Sequence, residues 1–515
     1  MAQYRTIVID HPLGGWIRTP AGGSSGASRE GADDQYENST NIDLFRPNGF
    51  EGYIAPGEMF QDMAVGGVGT AAINALPLEG VVGANSRAYV VLRNSRLIYF
   101  DVADDIIDGT VVVGTDVVTT DDNDMILFQD NNGTNWVART YERNGDSAAD
   151  IARINVTPTT PTGQDDDWFS TLTGSGTLTK GVPHKLWLGP DRIIYGANGR
   201  YILSHDPATT SGNTQAFDLG VGWTAVAGIA YGDYNAIIAR KSGTVLAGFV
   251  TSESLLLLWD GFTPTPDFVY PINDYEATAI KIEHGLVHIF SQGRNNMTRV
   301  SILSGNQLIT IFESTLIGNS PKSKSVESFR EMTIWGQDSG SFLVSALAKN
   351  GDGFAHHQIM LPNVSAASPS DIGLLKNLST TTLYAGITSG ASTIVRINNS
   401  SYYPNADFTT KLYKPGYQVT ITKIKFYLAQ FGAGASFTAS LFENFDSLGI
   451  GGANDLLNRQ FTQATWGSVD EISVPIYIPN LSAFYMNIRF DHVLATNTAT
   501  IIKRIEIEYT PTNSI

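Results

Sequence analysis

Residues 88–100 read AYVVLRNSRLIYF, which is two apolar runs joined by a short polar turn. Both runs are rich in β-branched and aromatic side chains, and Asn94 and Ser95 lie in the turn between them. Runs of this kind, separated by turn residues, predict a β-hairpin. Comparable runs begin near six later positions: Met125, Lys185, Asn235, Leu286, Met332 and Thr382.

The seven runs recur at a separation that is typical of one class of fold. Their spacing of about 40–60 residues is that of the four-stranded blades of a β-propeller. One blade cannot bury both of its faces, so blades that stack around an axis provide one another's core. We therefore predict an all-β chain in which residues 81–404 form a β-propeller of about seven blades. Two or more independent β-sandwiches are the alternative interpretation of the same runs.

A stricter alternation begins after residue 404. Ile424, Phe426 and Leu428 alternate with more polar residues. The same pattern recurs in residues 472–478, 484–490 and 505–509. Alternation indicates antiparallel strands with one buried and one solvated face, so residues 405–515 are predicted to form a C-terminal β-sandwich or jelly roll. Pro475 predicts an edge strand, because proline cannot donate a hydrogen bond to a neighbouring strand.

The remaining boundaries follow from loop and turn residues. Residues 1–80 are predicted to be an N-terminal arm of extended segments, available to contribute to closure of the propeller. Residues 400–406 are the predicted hinge before the C-terminal domain. The turn at residues 241–243 predicts a hairpin that joins the run at Asn235 to the pair Val245-Leu246.

The composition excludes several classes of function. The 515 residues include 33 Lys and Arg against 50 Asp and Glu, which gives a formal net charge of −17. Such a chain neutralises few phosphates, so we expect no sequence-specific nucleic-acid binding and no binding to anionic membranes. The absence of cysteine excludes disulfides, thiolate metal sites and thiol catalysis. No apolar run resembles a signal peptide or a membrane span, so we expect synthesis in a cytoplasm.

Glycine-rich and histidine motifs offer little chemistry. Residues 22–26, GGSSG, match a nucleophile elbow, and residues 67–72, GVGTAA, weakly resemble a dinucleotide fingerprint, but both lack the strand and helix that these motifs need. His284 and His288 have the spacing of a zinc site on a helix. Their apolar neighbours predict a strand, on which they would lie about 13 Å apart. The adjacent pair His356-His357 is expected to point to opposite faces of a sheet.

Carboxylates and aromatic residues form the other candidates. Three acidic clusters lack the frame of a calcium loop and are interpreted as solvated loops. Their members are Asp101, Asp104, Asp105 and Asp108, then Asp121, Asp122 and Asp124, and then Asp165, Asp166 and Asp167. Residues 129–136, QDNNGTNW, resemble the Asp-box hairpin of sialidase-like propellers, which is a structural turn. Trp16, Trp136, Trp168 and Trp466 either stack on sugars or belong to the core.

Four short segments are distinctive: LGGW at residues 13–16, NIDLF at 41–45, YIAPG at 53–57 and IEIEY at 505–509. Together with the degenerate blades and the closing sandwich, they resemble the corresponding features of virion propeller proteins of tailed bacteriophages. The resemblance implies a structural virion protein of the tail, nozzle-like or part of the tail hub, assembled as a symmetric ring. It implies that the partners are further copies of the chain and other tail proteins, and that the protein is located in the virion tail.

No residue is singled out as catalytic, cofactor-binding or metal-binding, so we predict that the chain is not an enzyme. A host-surface or glycan-binding tail protein is the alternative function, because loops at a propeller mouth and lectin-like sandwiches hold glycans. A propeller glycan hydrolase is the third hypothesis. Such an enzyme needs two carboxylates a few ångströms apart, and one sequence cannot show that proximity. Under the first hypothesis contact with packaged DNA is passive, because the negative charge repels DNA from a channel wall. Neither a cofactor nor a membrane partner is expected.

Overall fold

The structure is a computed structural model, and strands with the turns between them make up nearly all of the residues that it describes. It describes residues 4–10, 12, 15–16, 35–40, 42, 44, 53–56, 58–62, 64–65, 77–82, 87–92, 96–101, 106–113, 124–142, 148–241, 245–246, 249–250, 253–272, 276–292, 297–317, 321, 325–336, 343–350, 353–360, 371–377, 382–389, 391–402, 405–443, 455–491 and 499–512. Apart from Ser325, which has 3-10 conformation, helix within these ranges consists of one 3-10 turn, Phe169–Thr171, and one short α-helix, α1 (Gln463–Trp466). The predicted all-β class is therefore confirmed.

The strands are numbered in chain order. The first are β1 (Arg5–Asp10), β2 (Gly15–Trp16), β3 (Gln35–Thr40), β4 (Glu58–Asp62), β5 (Ala64–Val65), β6 (Pro77–Val82), β7 (Arg87–Leu92), β8 (Arg96–Asp101), β9 (Ile106–Val112), β10 (Met125–Gln129), β11 (Asn135–Glu142), β12 (Ala148–Asn155), β13 (Thr162–Asp165) and β14 (Leu178–Thr179). Next are β15 (Leu186–Leu188), β16 (Ile194–Asn198), β17 (Tyr201–His205), β18 (Gly212–Asp218), β19 (Trp223–Tyr231), β20 (Tyr234–Lys241), β21 (Val245–Leu246), β22 (Phe249–Val250), β23 (Glu253–Trp259), β24 (Phe268–Ile272), β25 (Glu276–Glu283), β26 (Leu286–Gln292), β27 (Met297–Ser304) and β28 (Gln307–Ile317). The last are β29 (Val326–Phe329), β30 (Met332–Gly336), β31 (Leu343–Asn350), β32 (Gly353–Met360), β33 (Asp371–Asn377), β34 (Leu383–Ser389), β35 (Ala391–Tyr402), β36 (Asn405–Thr410), β37 (Val419–Gln430), β38 (Ser436–Glu443), β39 (Arg459–Thr462), β40 (Glu471–Leu481), β41 (Phe484–Asp491) and β42 (Ile501–Pro511).

Two compact units make up the chain. The larger unit comprises Gln61–Phe342 and Asn363–Arg396. The smaller unit comprises Met1–Phe60, Leu343–Pro362 and Ile397–Ile515. This division differs from the predicted boundaries after residues 80 and 404, because pairing between distant strands, and not position along the chain, decides which segments belong together.

A succession of small antiparallel sheets forms the larger unit. Their strand orders are β5–β9–β8–β7–β6, β10–β11–β12–β13 with β14 also on β12, β15–β16–β17–β18, β19–β20–β23–β24 and β25–β26–β27–β28, followed by the hairpin β29–β30 and the sheet β33–β34–β35–β4. Strand β5 departs from the antiparallel pattern, since it runs parallel to β9. The hairpin predicted for residues 88–100 is present, with Val90 opposite Ile98. Each of the seven predicted runs begins in, or one residue before, a strand of a different member of this series.

One strand of each member contacts the corresponding strand of the next. The strands β6, β10, β15, β19, β25, β29 and β33 contact one another in that order, and β33 in turn contacts β6. These contacts form a closed series within the larger unit. Many small antiparallel sheets arranged in this way constitute a β-propeller-like fold.

Neighbouring sheets of the larger unit share their buried side chains. Tyr89 of the first sheet belongs to the same apolar cluster as Tyr141 of the second. The pattern repeats along the series, where Trp187 of the third sheet clusters with Ile237 of the fourth. The prediction that each sheet covers the face of its neighbour is thereby confirmed for these sheets.

Two sheets, of four and six strands, enclose the core of the smaller unit. One has the strand order β1–β42–β37–β40 and the other β2–β3–β36–β41–β38–β39. Phe426 and Phe437 belong to different sheets, and their ring centroids lie 5.2 Å apart. The predicted alternation is confirmed on β37, where Ile424, Phe426 and Leu428 are buried and the residues between them are partly exposed. Pro475 lies on β40, at the edge of its sheet as predicted.

Three local expectations differ from the structure. Strand β21 does not pair with β20 but with β22 in a separate two-stranded sheet, while β20 pairs with β23. The predicted hinge at residues 400–406 is partly strand, since β35 extends through Tyr402 and β36 begins at Asn405. The predicted N-terminal arm is not a separate segment throughout, because β1 within it belongs to a sheet of the smaller unit. There it pairs with β42 and places Ile9 opposite Ile505.

Candidate functional site

The carboxylate of Asp130 organises the turn between β10 and β11. Gly133 in this turn has a φ of 78°, a left-handed conformation that glycine adopts without steric cost. Asp130 Oδ1 accepts hydrogen bonds from the backbone N–H groups of Asn132 and Thr134 at 2.9 and 3.0 Å, and Oδ2 accepts one from the indole N–H of Trp136 at 2.9 Å. Burial raises the pKa of Asp130, but these bonds outweigh that effect and leave the pKa below its usual value. The turn has the structural role that its resemblance to an Asp-box implies.

Arg153 lies against two tryptophan rings beside this turn. Its guanidinium carbon is 4.1 Å from the ring centroid of Trp136 and 5.0 Å from that of Trp168, and its Nε is 3.5 Å from a carboxylate oxygen of Asp165. Trp168 is only 2% exposed and stacks on Phe128 at 5.4 Å. Trp168 therefore belongs to the core and is not a sugar platform, whereas Trp136 remains partly exposed.

Buried polar contacts join the neighbouring sheets of the larger unit. Asp124, which precedes β10, is 1% exposed, so its interpretation as part of a solvated loop is wrong. Its carboxylate accepts hydrogen bonds from Lys185 Nζ at 3.1 Å and from the backbone N–H of Leu186 at 2.7 Å, both in the next sheet or just before it. Two other buried links are Arg139 Nη1 to the carbonyl of Val113 and Trp187 Nε1 to Asn235 Oδ1. The partly exposed ion pair of Arg240 with Glu276 joins two further sheets.

Glu327 on β29 is a buried carboxylate that contacts two lysines. Lys281 on β25 forms an ion pair with its Oε1, and Lys376 Nζ on β33 lies 3.8 Å from its Oε2. Burial raises the pKa of Glu327, but the charges of Lys376 and Lys281 outweigh this and keep the pKa below its usual value. Three consecutive strands of the closed series are thereby joined through one side chain. Sequence reasoning missed this group because its members lie in separate sheets, far apart along the chain.

The two histidines with zinc-like spacing bond to the hairpin β29–β30. His284 Nε2 lies 2.8 Å from the carbonyl oxygen of Glu331, and His288 Nδ1 lies 2.8 Å from Thr333 Oγ1. Each ring therefore connects one sheet to the next. In the part of the chain that the structure describes, no group of three or more His, Asp or Glu side chains is placed to hold a metal ion.

The other sequence candidates are dispersed. Trp466 packs against Phe461 in the core of the smaller unit, with ring centroids 6.1 Å apart, and His357 Nδ1 of the same unit lies 2.8 Å from the hydroxyl of Tyr36. The carboxylates of residues 165–167 are partly exposed. Residues 22–26 and 67–72, together with Asp104, Asp105, Asp121, Asp122 and the side chain of Trp16, lie outside the described residues. Neither helix within the described ranges has the length and apolar character to cross a membrane.

Comparison with known proteins gives little further information. No protein-family model matches the chain, and no curated protein matches it either. Solved structures do match, 574 chains in all, among them a crystal structure of Raptor from Chaetomium thermophilum. That match has 10% sequence identity and a TM-score of 0.45, and it covers 66% of this chain but only 30% of the Raptor chain. A likeness this distant carries no argument about what the present chain does.

Proposed function

We propose that the larger unit is a β-propeller of seven blades and that the smaller unit is a β-sandwich. The closed series of contacting strands from β6 to β33 supports the first assignment, because blades around an axis place one strand each against both neighbours. The shared core of two sheets supports the second. Strand β4 completes the sheet of β33, β34 and β35, which is how the N-terminal segment would contribute to closure of the propeller.

On this scaffold we propose a structural virion protein of a tailed bacteriophage, a nozzle-like or tail-hub component assembled as a symmetric ring in the virion tail. The observation that carries the proposal is the chain of buried polar links between successive sheets, such as Asp124 with Lys185 and Glu327 with Lys281 and Lys376. Such links suit a rigid scaffold that transmits load between neighbours. The phage-like segments at residues 13–16, 41–45, 53–57 and 505–509 support the same role, and the net charge of −17 would keep packaged DNA from adhering to a channel wall.

Self-association has a candidate surface on the smaller unit. Tyr4, which precedes the edge strand β1, is 68% exposed, and Val8 on that strand is 42% exposed. At the opposite edge, Pro475 and Pro479 on β40 lack backbone N–H groups, so that edge is poorly suited to pairing with another strand. Contact between copies is therefore proposed to involve β1.

The test removes the protein from the particle. We expect phage that lack this chain to produce particles with truncated or leaking tails in negative-stain images, and we expect wild-type protein supplied in trans to restore them. Complementation with Tyr4→Ser, compared with Tyr477→Ser as the control, tests whether the β1 surface is needed for assembly. Normal tails on particles shown by mass spectrometry to lack the protein would refute the proposal.

A host-surface or glycan-binding role is the second candidate, and one exposed aromatic residue favours it. Tyr477 on the outer face of β40 is 76% exposed between Pro475 and Pro479, and an exposed aromatic ring provides a platform for a sugar. If this role is correct, the full chain binds host cells or a glycan array, and Tyr477→Ser reduces binding whereas Tyr4→Ser does not. Absence of binding by the wild-type chain would remove this candidate.

A further inference from the structure

Three side-chain links concentrate at one junction in the larger unit, which we call the histidine seam. It is formed by Lys281, His284 and His288 of the sheet β25–β28 and by Glu327, Glu331 and Thr333 of the hairpin β29–β30. The links are the ion pair of Lys281 with Glu327, the bond of His284 Nε2 to the Glu331 carbonyl, and the bond of His288 Nδ1 to Thr333 Oγ1.

Each of the two hairpin turns at the seam contains two successive residues in the left-handed conformation. His284 and Gly285 have φ values of 51° and 73°, and Arg330 and Glu331 have values of 50° and 61°. Two successive left-handed residues are typical of the tight turns that suit the twist of a hairpin. The Glu331 carbonyl can only accept a hydrogen bond, so His284 must donate from Nε2.

The groups that face His288 come from every neighbouring strand. Lys281 lies opposite it on β25, and Ile302 lies opposite it on β27. Thr333 bonds to it from β30, and the Glu327 carboxylate on β29 is engaged by Lys281. His284 lies in the turn before β26, so a proton on His288 adds a positive charge beside Lys281 and His284.

We propose that the histidine seam is an acid-sensitive joint, at which mild acidification separates the sheet β25–β28 from the hairpin β29–β30 while the other sheets stay closed. The proposal is independent of the role in a phage tail. By contrast, the link between Trp187 and Asn235 at another junction contains no group that titrates in this range. The ion pair of Arg240 with Glu276 at the preceding junction contains no histidine.

The direction of the pH effect follows from the burial of His288. Burial, followed by the charge of His284, lowers the pKa of His288 from 6.5 to about 4. An opened seam returns the ring to water and to its ordinary pKa, so it binds a proton more readily than the closed seam. Stability of the closed seam is complete above pH 6.5 and is lost as the pH falls towards 4.

Hydrogen exchange of the full chain at pH 7.5 and pH 5.0, corrected for the intrinsic pH dependence of exchange, tests the proposal. We expect protection to fall about 25-fold in peptides from residues 276–292 and 325–336, which is the ratio that pKa values of 6.5 and about 4 give over this interval. Peptides from residues 223–241, which contain no histidine, are expected to keep their protection. An equal loss in all of these peptides, or no loss at the seam, would overturn the proposal.

Matched variants identify the titrating group. His288→Gln keeps a polar side chain without a titration, so we expect it to abolish the acid-induced loss at the seam. His205→Gln alters a histidine that bonds to Ser211 within its own sheet, and it is expected to leave the response of the seam unchanged. A full response in the His288 variant would refute the assignment. If that variant does not fold, the wild-type peptide map still decides between a local opening and a general loss of protection.

Discussion

Asp130 illustrates how much a single position reveals when its partners are close in sequence. All three donors to its carboxylate lie within six residues, so the spacing of Asp, Gly and Trp was sufficient to predict the turn. Arg153 was not predictable in the same way, because its contact with Trp136 depends on the pairing of β11 with β12. The geometry of a turn can therefore be predicted from the sequence, whereas side-chain contacts between strands can be predicted only when the pairing of the strands is known.

Replacement of Asp130 by alanine should destabilise the larger unit. The change removes the acceptor of two backbone N–H groups and one indole N–H, and we expect a loss of about 1–2 kcal/mol, discounted for partial exposure. Urea unfolding followed by tryptophan fluorescence measures the loss. Asp206→Ala, which removes an acceptor for the Ala208 N–H in another turn, is the control and should cost less than half as much. Equal effects of the two variants would contradict the role given to Asp130.

At the level of elements, the sequence located strands better than it located their partners. The seven runs identified as hairpin starts lie in seven different members of the series, because β-branched and aromatic runs bounded by turns are local signals. Partner choice is not local. Strand β20 does not pair with the nearer β21 but with β23, whose leucines are mostly buried. The choice of partner strand depends on register and on packing between sheets, which the sequence of one strand does not show.

Gly228 on β19 provides a test of packing between two sheets. A Cβ atom at this position would lie 2.6 Å from the ring of Trp187 on β15, which bonds to Asn235 on β20. We expect Gly228→Ala to displace the indole and to cost about 1–3 kcal/mol through overpacking. The midpoint of urea unfolding reports the change. Gly176→Ala is the control, because no atom lies within 4 Å of the added methyl group. A neutral result for Gly228→Ala would show that the two sheets are packed more loosely than described.

For the whole molecule, composition and spacing predicted the all-β class but not the way in which the sheets are joined. Glu327, Lys281 and Lys376 are ordinary charged residues in sequence, and only the order of β25, β29 and β33 brings them together. The same holds for Asp124, which the sequence placed in a solvated cluster. Buried charges that pair across separate sheets leave no local pattern, so the candidate site was less predictable than the fold.

The stability of the whole chain should depend on pH through His205. Burial lowers the pKa of His205 below 6.5, so the unfolded chain binds a proton that the folded chain does not, and stability falls as the pH drops below that value. We expect the free energy of unfolding to decrease less between pH 7.5 and pH 5.5 in His205→Gln than in the wild type. Urea titrations at several pH values measure this difference. Parallel curves for the two proteins would contradict the prediction.

The pairing of β1 with β42 has a consequence for biosynthesis. Arg5 lies opposite Tyr509, so about 500 residues of chain separate β1 from its partner strand. Closing so long a loop is entropically unfavourable, and folds dominated by distant pairings form slowly. Strand β1 therefore lacks its partner until β42 has been synthesised, and the sheet β1–β42–β37–β40 is completed only after that point.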